Sequence, residues 1–315
     1  MITSRSTKLA IIGAGSVGSS LAYAALIRGS AREIALFDVR GDKARAEALD
    51  LAHGMQFLEP ATVVGGDDPD LVAGADVVVI TAGAQMKPGQ RRLDLAATNA
   101  AIFEEMLPPL LQRAPDAVYV VVTNPCDVLA VVTQRITGLP SSRILSSGTV
   151  LDSSRLRSAL ATRLEIAPAS VHAFIVGEHG DSEFPLWSHA AAGGTPLQGS
   201  RDADGEALSQ ADLDALARDV MEAGFTVMAG KGTSNFAIGL SCLRIVEAIL
   251  RDEHAVLPVS SVLDDVHGIS GVALSVPSVV GAAGVLRVLD TPMTPSEEGR
   301  LQQCAEVVSR TLTSL

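Results

Sequence analysis

The chain has 315 residues, enough for one large domain or two of ordinary size. Hydrophobic residues make up 47% of it and aromatic residues only 3%, so a core of Ala, Val, Leu and Ile is expected and disorder is disfavoured. The formal net charge of −12 argues against nucleic acid as a partner, because phosphates bind basic surfaces.

The cysteines and one long uncharged run bear on the cellular compartment of the protein. Cys126, Cys242 and Cys304 lie far apart and form no CxxC pair, which suits a reducing compartment. Residues 268–286 carry no charge, but glycines, serines and a proline interrupt them, which predicts short buried strands rather than a membrane span. We therefore expect a cytoplasmic protein that binds neither membrane nor nucleic acid.

The first half of the chain alternates short apolar runs with amphipathic stretches. The apolar runs predict strands and the amphipathic stretches predict helices. The strands are Leu9–Ile12, Ile34–Phe37, Val77–Thr81 and Val118–Val122, and the helices are Asp42–Phe57 and Leu95–Gln112. Apolar strands separated by helices indicate a parallel sheet covered on both faces. The sequence therefore predicts an α/β fold, with a Rossmann-type doubly wound parallel sheet in residues 1–147.

The alternation of short strands and helices ends after about Ser147, and longer helices dominate from there on. Helices are predicted at Asp152–Leu164, Ala207–Ala229, Ser234–Arg251 and from Pro295, and strands near Ala255–Ser260 and Val272–Val276. This mixture predicts a second, α+β domain in residues 148–315.

A glycine turn follows the first predicted strand. The run KLAIIGAGSVG places Gly13, Gly15 and Gly18 between that strand and an Ala-rich helix start. Gly13 permits a tight turn, Gly15 lets the backbone approach a pyrophosphate, and Gly18 lets the helix pack on the strand. The N–H groups at the helix start would face the phosphates of a dinucleotide. The pattern therefore predicts a dinucleotide site, with an ordinary glycine turn as the alternative.

Asp38 bears on which dinucleotide is bound. It ends the second predicted strand, 20 residues after Gly18. A carboxylate there holds a ribose 2′-hydroxyl and repels a 2′-phosphate, which favours NAD as the cofactor. The nearby Arg40 leaves NADP open, and an ordinary surface aspartate is the structural alternative.

Five further stretches can be interpreted together with the glycine turn. They are TAGAQMKPGQRRLDL (81–95), TNPCDVL (123–129), SGTVLDSSRLR (147–157), GEHGDSEFPLWS (177–188) and GKGTSNFAIG (230–239). In this order and spacing they resemble the L-lactate/malate dehydrogenase family, most closely its bacterial L-lactate dehydrogenases. The resemblance implies reversible hydride transfer between NAD(H) and a small monocarboxylic 2-hydroxy or 2-oxo acid, carried out by a homotetramer.

His179 is the candidate acid–base group of that reaction. It lies in a glycine-flanked loop, and an unperturbed imidazole pKa of about 6.5 suits proton transfer in both directions. The resemblance assigns Asp152 as its partner, since a nearby carboxylate fixes the tautomer and stabilises the imidazolium. Arg155 lies one helical turn beyond Asp152, and its planar guanidinium suits bidentate capture of the substrate carboxylate. An internal ion pair between these two residues on a solvated helix is the alternative.

The resemblance also implies roles around the reacting carbonyl and the cofactor. Arg92 would polarise the carbonyl oxygen once its loop closes, and Asn124 would donate to the same oxygen. The cofactor contacts that the resemblance implies are Gly13, Gly15, Ser16, Val17, Gly18, Asp38, Thr81, Ala82, Gly83, Asn99, Val122 and Asn124. No metal is expected, because histidines and cysteines share no metal-like spacing.

Met86 differs from the residue that malate dehydrogenases carry at this position and from the one that lactate dehydrogenases usually carry. At this position, six residues before the catalytic arginine, malate dehydrogenases carry Arg and lactate dehydrogenases usually carry Gln. A methionine cannot neutralise a second carboxylate, so malate and oxaloacetate are disfavoured unless Lys87 turns inward. Ser234 replaces the usual Thr on the opposite wall, and Gly224 stands where Ala is common. These changes predict a roomier pocket for pyruvate and for longer aliphatic or aromatic 2-oxo acids; the alternative is that Met86 points elsewhere.

Arg157 and His172 match an effector site in the resemblance. Arg157 lies about 200° round the helix from Arg155 and so points away from the active site. His172 begins a predicted apolar strand at Val171–Val176. Allosteric bacterial lactate dehydrogenases bind fructose 1,6-bisphosphate at these positions, between two subunits, where two copies of each residue would surround the anion. Ordinary surface residues at an interface are the alternative.

The leading prediction is an NAD-dependent L-2-hydroxy-acid dehydrogenase of the lactate type. The alternatives are an L-2-hydroxyisocaproate-type dehydrogenase, a malate dehydrogenase, and a silent protein that senses the NAD redox state. The silent protein would tolerate the loss of catalytic residues, yet His179, Asp152, Arg155 and Arg92 are all present. The preferred side chain, the physiological direction and the need for an effector stay open.

Overall fold

The computed structural model describes residues 6–84 and 92–315. Within these two ranges, no helix combines the length and the apolar character needed to cross a lipid bilayer.

Six parallel strands form the centre of the structure. The elements of the first half are β1 (Lys8–Ile12), α1 (Ser16–Ile27), β2 (Glu33–Phe37), α2 (Gly41–His53), β3 (Thr62–Gly66), β4 (Val77–Ile80), α3 (Arg92–Arg113), β5 (Val118–Val121), α4 (Cys126–Thr137) and β6 (Ile144–Ser146). The strands pair in the order β3-β2-β1-β4-β5-β6, all parallel. This order confirms the predicted doubly wound sheet. It reverses between β1 and β4, and ligands of such sheets bind beyond the carboxyl ends of the strands at that point.

The strands β1, β2, β4 and β5 are mostly hydrophobic because both faces of the sheet are covered there. Ile12 of β1 packs into a core with Phe103 of α3, whereas its neighbour Ile11 packs into a second core with Leu21 of α1. All four side chains are buried. Burial of one such side chain stabilises the fold by about 1.5–3 kcal/mol, so these strands form a rigid base for the loops at their ends.

The second half adds four helices and ten short strands. Its elements are α5 (Val150–Leu164), β7 (Val171–His172), β8 (Ile175–Val176), β9 (Phe184–Pro185), β10 (Ala191–Ala192), β11 (Thr195–Pro196), α6 (Gln210–Lys231), α7 (Phe236–Leu250), β12 (Ala255–Leu257), β13 (Ser260–Val262), β14 (Ala273–Ser275), β15 (Ser278–Gly281), β16 (Gly284–Val288) and α8 (Pro295–Thr313). β13 pairs antiparallel with β6 and β14, which extends the central sheet to eight strands. The predicted boundary between residues 147 and 148 falls between β6 and α5 and stays a prediction.

Two predicted strands are divided in the structure. The run Val171–Val176 becomes β7, which pairs with β10, and β8, which pairs with β9. The run Ala255–Ser260 contains β12, which pairs with β15, and only the first residue of β13, which joins the central sheet. In both runs the two ends belong to different sheets, and apolar periodicity carries no information about pairing partners.

Two segments of the second half lie at the edge of the sheet where the strands β1, β4 and β5 end. α5 begins just after β6, so its first turn lies at the same edge of the sheet as the loops after β1, β4 and β5. The hairpin of β8 and β9 carries the loop 177–183, and Gly177 pairs with Ser275 at the end of β14. The loop is therefore anchored to the central sheet at its first residue.

Candidate active site

The turn between β1 and α1 is shaped for a dinucleotide phosphate. Gly13 has a φ of +108°, and a Cβ there would come within 2.7 Å of the Ala82 nitrogen. A Cβ on Gly18 would lie 2.0 Å from the Gly13 carbonyl oxygen, so only glycine lets α1 pack on the turn. At Gly15 the Cβ position has no described atom within 4 Å. The N-terminus of α1 therefore opens onto free space, where its N–H groups can meet phosphate oxygens.

Asp38 lies directly after β2 and reaches back to this turn. Its Oδ2 accepts the Ala14 N–H at 2.9 Å, and its Oδ1 accepts the Arg40 N–H at 2.9 Å. The carboxylate is thus fixed beside the glycine turn, where it suits a ribose 2′-hydroxyl and disfavours a 2′-phosphate. The residues present fit NAD.

The loops after β4 and β5 are tied together by Asn99, which is buried in α3. Its Oδ1 accepts the Ala84 N–H at 2.7 Å, and its Nδ2 donates to the Asn124 carbonyl oxygen at 2.8 Å. The Thr81 hydroxyl donates to the Gly13 carbonyl oxygen at 3.0 Å, which joins the β4 loop to the glycine turn. The predicted cofactor residues that these bonds gather at one edge of the sheet are Thr81, Ala82, Gly83, Asn99, Val122 and Asn124.

Ser16 and Val17 begin α1, and the loop between α6 and α7 lies against this helix. The Ser16 and Thr233 hydroxyl oxygens lie 3.2 Å apart, and Asn235 Nδ2 donates to Ser20 Oγ at 2.7 Å. Ser234, the predicted substrate-wall residue, is half-buried between these two anchored neighbours. The structure therefore holds the loop of Ser234 against the helix that follows the glycine turn.

His179, Asp152 and Arg155 meet in one cluster. His179 lies in the loop 177–183, and Asp152 and Arg155 lie near the start of α5. His179 Nδ1 is 2.8 Å from Asp152 Oδ2, and Arg155 Nη1 donates to Asp152 Oδ1 at 2.7 Å. An ion pair between Asp152 and Arg155 is therefore present, but Asp152 is buried and does not lie on a solvated face of the helix. The ion pair leaves Nε and Nη2 of Arg155 without a hydrogen bond to any described residue.

Burial and charge together set the protonation of this cluster. Burial alone would raise the pKa of the Asp152 carboxyl, but His179 and Arg155 outweigh burial and hold that pKa below its usual range. Burial alone would lower the pKa of His179, but the Asp152 carboxylate outweighs burial and holds that pKa well above its usual value. An ionised carboxylate only accepts hydrogen bonds, so Nδ1–H of His179 donates to Asp152. Nε2 is then the nitrogen available for proton exchange.

Asp127, a residue missed in the sequence interpretation, fixes the backbone of His179. It lies in the first turn of α4 and is buried. Its Oδ2 accepts the His179 N–H at 2.7 Å, and its Oδ1 accepts the Ser146 hydroxyl at 3.1 Å. The stretch TNPCDVL contains this acid, but an acid in a first helical turn is typical of any helix start. Only the fold shows that it faces the loop of His179.

Glu183 is a second missed residue. Its side chain is buried, and its Oε2 lies 3.5 Å from His179 Nδ1. The ligand-type atoms of Asp152, His179 and Glu183 lie within 4.8 Å of one another, a spacing that also fits a metal ion. Arg155 already supplies a cation to Asp152, however, and it would repel a second one. The expectation of no metal stays a prediction.

Arg157 is held by the segment that follows β7. Its Nε donates to the Ala173 carbonyl oxygen at 2.9 Å, and its guanidinium lies 4.8 Å from the centroid of the Phe174 ring. His172 is exposed on β7, one residue before Ala173. The two predicted effector residues therefore lie in neighbouring segments.

Two predicted site residues fall on the undescribed part of the chain. Met86 lies outside the described residues. For Arg92, the structure describes only its place as the first residue of α3, and its side chain lies outside the description.

Known proteins resemble this chain over nearly its whole length. The lactate/malate dehydrogenase NAD binding domain matches residues 7–146, and the alpha/beta C-terminal domain of the same family matches residues 149–314. The L-lactate dehydrogenase of Bifidobacterium animalis subsp. lactis is 47% identical over 311 residues, covering 97% of this chain and 96% of that protein. The L-lactate dehydrogenase of Thermoanaerobacter pseudethanolicus is 42% identical over 308 residues, covering 98% and 99%.

A solved structure also resembles this chain over nearly its whole length. The minor L-lactate dehydrogenase from Enterococcus mundtii, determined in a ligands-bound form, matches with a TM-score of 0.94 and 40% identity, covering 98% of each chain. The glycine turn and Asp38 fit the dinucleotide that the matched N-terminal domain binds. The chain belongs to the lactate/malate dehydrogenase family, and its cofactor is NAD.

Proposed function

We propose that this chain is an NAD-dependent L-lactate dehydrogenase, which interconverts a small monocarboxylic 2-oxo acid and its L-2-hydroxy acid. The observation that carries the proposal is the His179–Asp152 pair, with Arg155 on the second oxygen of the same carboxylate. The relatives that match nearly the whole chain are themselves named L-lactate dehydrogenases. Pyruvate and L-lactate are the reference substrates.

His179 handles the proton of the reaction. When bound, NADH supplies the hydride. In reduction the imidazolium gives its Nε2 proton to the substrate oxygen, and in oxidation the neutral imidazole takes it back. Asp152 keeps Nδ1–H in place in both directions and stabilises the imidazolium. A positioned acid–base group of this kind contributes about 10²- to 10⁴-fold in rate.

Arg155 binds the substrate carboxylate. Its Nη1 is taken by Asp152, and its Nε and Nη2 form the edge that suits bidentate binding of a second carboxylate. Gly224 of α6 lies opposite, since a Cβ there would stand 3.9 Å from both Nη1 and Nη2. The place of a substrate carboxylate is therefore bounded by α5 and α6.

The remaining roles follow from the family resemblance. Arg92 polarises the reacting carbonyl oxygen, where a cation stabilises the developing charge. Asn124 is the second donor to that oxygen, and its exposed side chain at the end of β5 is free to turn toward a substrate. Met86 and Ser234 bound the substrate's side chain, on opposite walls.

The substrate preference follows from the uncharged pocket walls. We expect kcat/KM with NADH to be high for pyruvate and appreciable for 2-oxoisocaproate and phenylpyruvate. Oxaloacetate should be lower than pyruvate by about 10²-fold or more, because enclosing its unpaired second carboxylate costs several kcal/mol. Spectrophotometric NADH oxidation across these four acids measures the order.

A matched variant separates this account from malate dehydrogenase activity. Met86→Arg supplies the missing cation, so it should raise kcat/KM for oxaloacetate and lower it for 2-oxoisocaproate. If oxaloacetate is already the best substrate of the unaltered chain, the assignment of the pocket is wrong.

We also propose that the protein is a homotetramer that binds fructose 1,6-bisphosphate between two subunits. Arg157 and His172 lie in neighbouring segments, and the contact of Arg157 Nε with Ala173 leaves its Nη groups for an anion. Two copies of each residue would bring up to four cations to the sugar bisphosphate. The exposure of His172 fits a position at such an interface.

The effector should lower the apparent KM for pyruvate. Pyruvate saturation curves with and without millimolar fructose 1,6-bisphosphate measure the effect, and His172→Gln should weaken it, since this exposed side chain has no described partner in the core. Superimposable curves for the unaltered protein would rule the effector out.

A further inference from the structure

We propose that Glu183 is a positioning residue that acts through His179: its carboxylate extends the pH range over which the imidazole keeps the proton used in reduction. The inference rests on the proposed function, because it takes His179 as the acid of that reaction. Nothing in the resemblance assigns this residue a role.

Glu183 reaches the nitrogen that Asp152 also holds. Its Oε2 lies 3.5 Å from His179 Nδ1, while Asp152 Oδ2 lies 2.8 Å from the same atom. Asp152 comes from α5, whereas Glu183 closes the loop 177–183 at its junction with β9. The imidazole is therefore held between two carboxyl groups that come from different elements.

Apart from its approach to His179, the Glu183 carboxyl makes no evident contribution to the fold of the described residues. The residue is 3% exposed, and its Oε2 has no hydrogen-bond partner in the part of the chain that the structure describes. A buried carboxyl without such a partner is costly unless a neighbouring group compensates it. His179 is the cation-capable group beside it, so the compensation is complete only when the imidazole is protonated.

Several titratable or charged groups face this pair from the packed helices. They are Asp152 and Arg155 of α5, Cys126 and Asp127 of α4, and Arg300 and Cys304 of α8.

These neighbours do not neutralise the Glu183 carboxylate, so His179 is the group that can neutralise it. Arg155 balances Asp152, and Arg300 contacts the Glu183 backbone carbonyl oxygen rather than its carboxyl. Burial raises the pKa of the thiols of Cys126 and Cys304, which therefore stay neutral near pH 7. Two carboxylates within 4.8 Å of each other thus favour a cation between them, and protonated His179 supplies it.

The pKa values of Glu183 and His179 set the direction in which the pH profile of the reaction should move. Burial raises the pKa of Glu183, so this group loses its proton nearer to neutrality than an ordinary glutamate. Once ionised, it raises the pKa of His179 further. Reduction needs the imidazolium, so ionised Glu183 should move the loss of reductase activity to higher pH. At acidic pH, where Glu183 is protonated, its charge should make no difference.

The experiment compares the complete pH profiles of Glu183→Gln and the unaltered protein. In the variant, the alkaline fall of kcat/KM for pyruvate should move to lower pH by about 1–3 units, since an opposite charge at this range shifts a pKa by that much. The acid rise of kcat/KM for L-lactate should move by the same amount. Rates of reduction at acidic pH should stay within about threefold of the unaltered protein.

The Glu298→Gln variant is the matched control, because it removes the same charge from an exposed side chain of α8. Its profiles should coincide with those of the unaltered protein. NMR titration of the His179 ring gives a second readout that does not depend on turnover. A Glu183→Gln profile that keeps its midpoint, or that falls equally at every pH, overturns the inference and leaves the proposed function intact. A failure of the unaltered protein to reduce pyruvate would instead refute the proposed function.

Discussion

The His179→Asn variant is expected to lose about 10²- to 10⁴-fold in kcat for pyruvate reduction. Asparagine keeps a polar group of similar reach but has no acidic proton to give, so the contribution of general acid catalysis disappears. The affinity for NADH should change little, because the glycine turn and Asp38 lie on other elements. Steady-state kinetics and NADH titration by fluorescence measure the two quantities separately.

His254→Asn is the matched control for this variant. His254 is exposed and has a φ of +52°, a conformation that asparagine adopts more readily than most residues. This variant should keep the activity of the unaltered protein. A His179→Asn protein that reduces pyruvate as fast as the His254→Asn protein would show that another group supplies the proton.

The Arg155→Gln variant should lose kcat/KM for pyruvate by roughly 30-fold to several thousand-fold. Removal of one partner from a desolvated charge pair with the substrate costs about 2–5 kcal/mol, and each 1.4 kcal/mol is tenfold. Most of the loss should appear in KM, since the proposed partner of Arg155 is the substrate carboxylate, which does not react. Initial-rate kinetics over a wide pyruvate range separate KM from kcat.

Arg155→Lys tests whether geometry or charge matters at this position. An ammonium group keeps the charge, but it lacks the planar fork that serves Asp152 and a substrate carboxylate at once. We expect an intermediate loss. Full activity of the lysine variant would contradict the bidentate role, and an unchanged KM in the glutamine variant would remove Arg155 from the substrate site.

Local patterns in the sequence were enough for four strands of the parallel sheet, β1, β2, β4 and β5, and for the cofactor turn, whereas β3 and β6 were not predicted. The strands β1, β2, β4 and β5 are almost wholly buried, so a strand such as Val118–Val121 is hydrophobic at every position and contrasts with the helices around it. The glycine turn is equally local, because Gly13 and Gly18 are required by contacts with the neighbouring backbone. These features depend on residues close together in the chain.

The pairing of distant segments could not be predicted in this way. The addition of β13 to β6 joins residues more than a hundred positions apart. No periodicity signals this contact, and most of β13 lies beyond the predicted run Ala255–Ser260 that contains β12.

In the candidate active site, too, sequence patterns did not predict every contact. His179, Asp152 and Arg155 were identified by motif resemblance, and the structure brings them together. Asp127 and Glu183 were missed because each looks ordinary in its own stretch. The contact of Asp127 with His179 arises only when α4 packs against the loop 177–183, and the contact of Glu183 with His179 depends on the conformation of that loop.

The pH dependence of both reaction directions in the unaltered protein tests the central claim most directly. If His179 carries the reacting proton, kcat/KM for pyruvate with NADH falls, and kcat/KM for L-lactate with NAD rises, around one common pH. Asp152 holds the pKa of His179 well above its usual 6.5, so that common pH should lie above 6.5. A reduction profile that stays flat through this range, or limbs centred at two different pH values, would contradict the account.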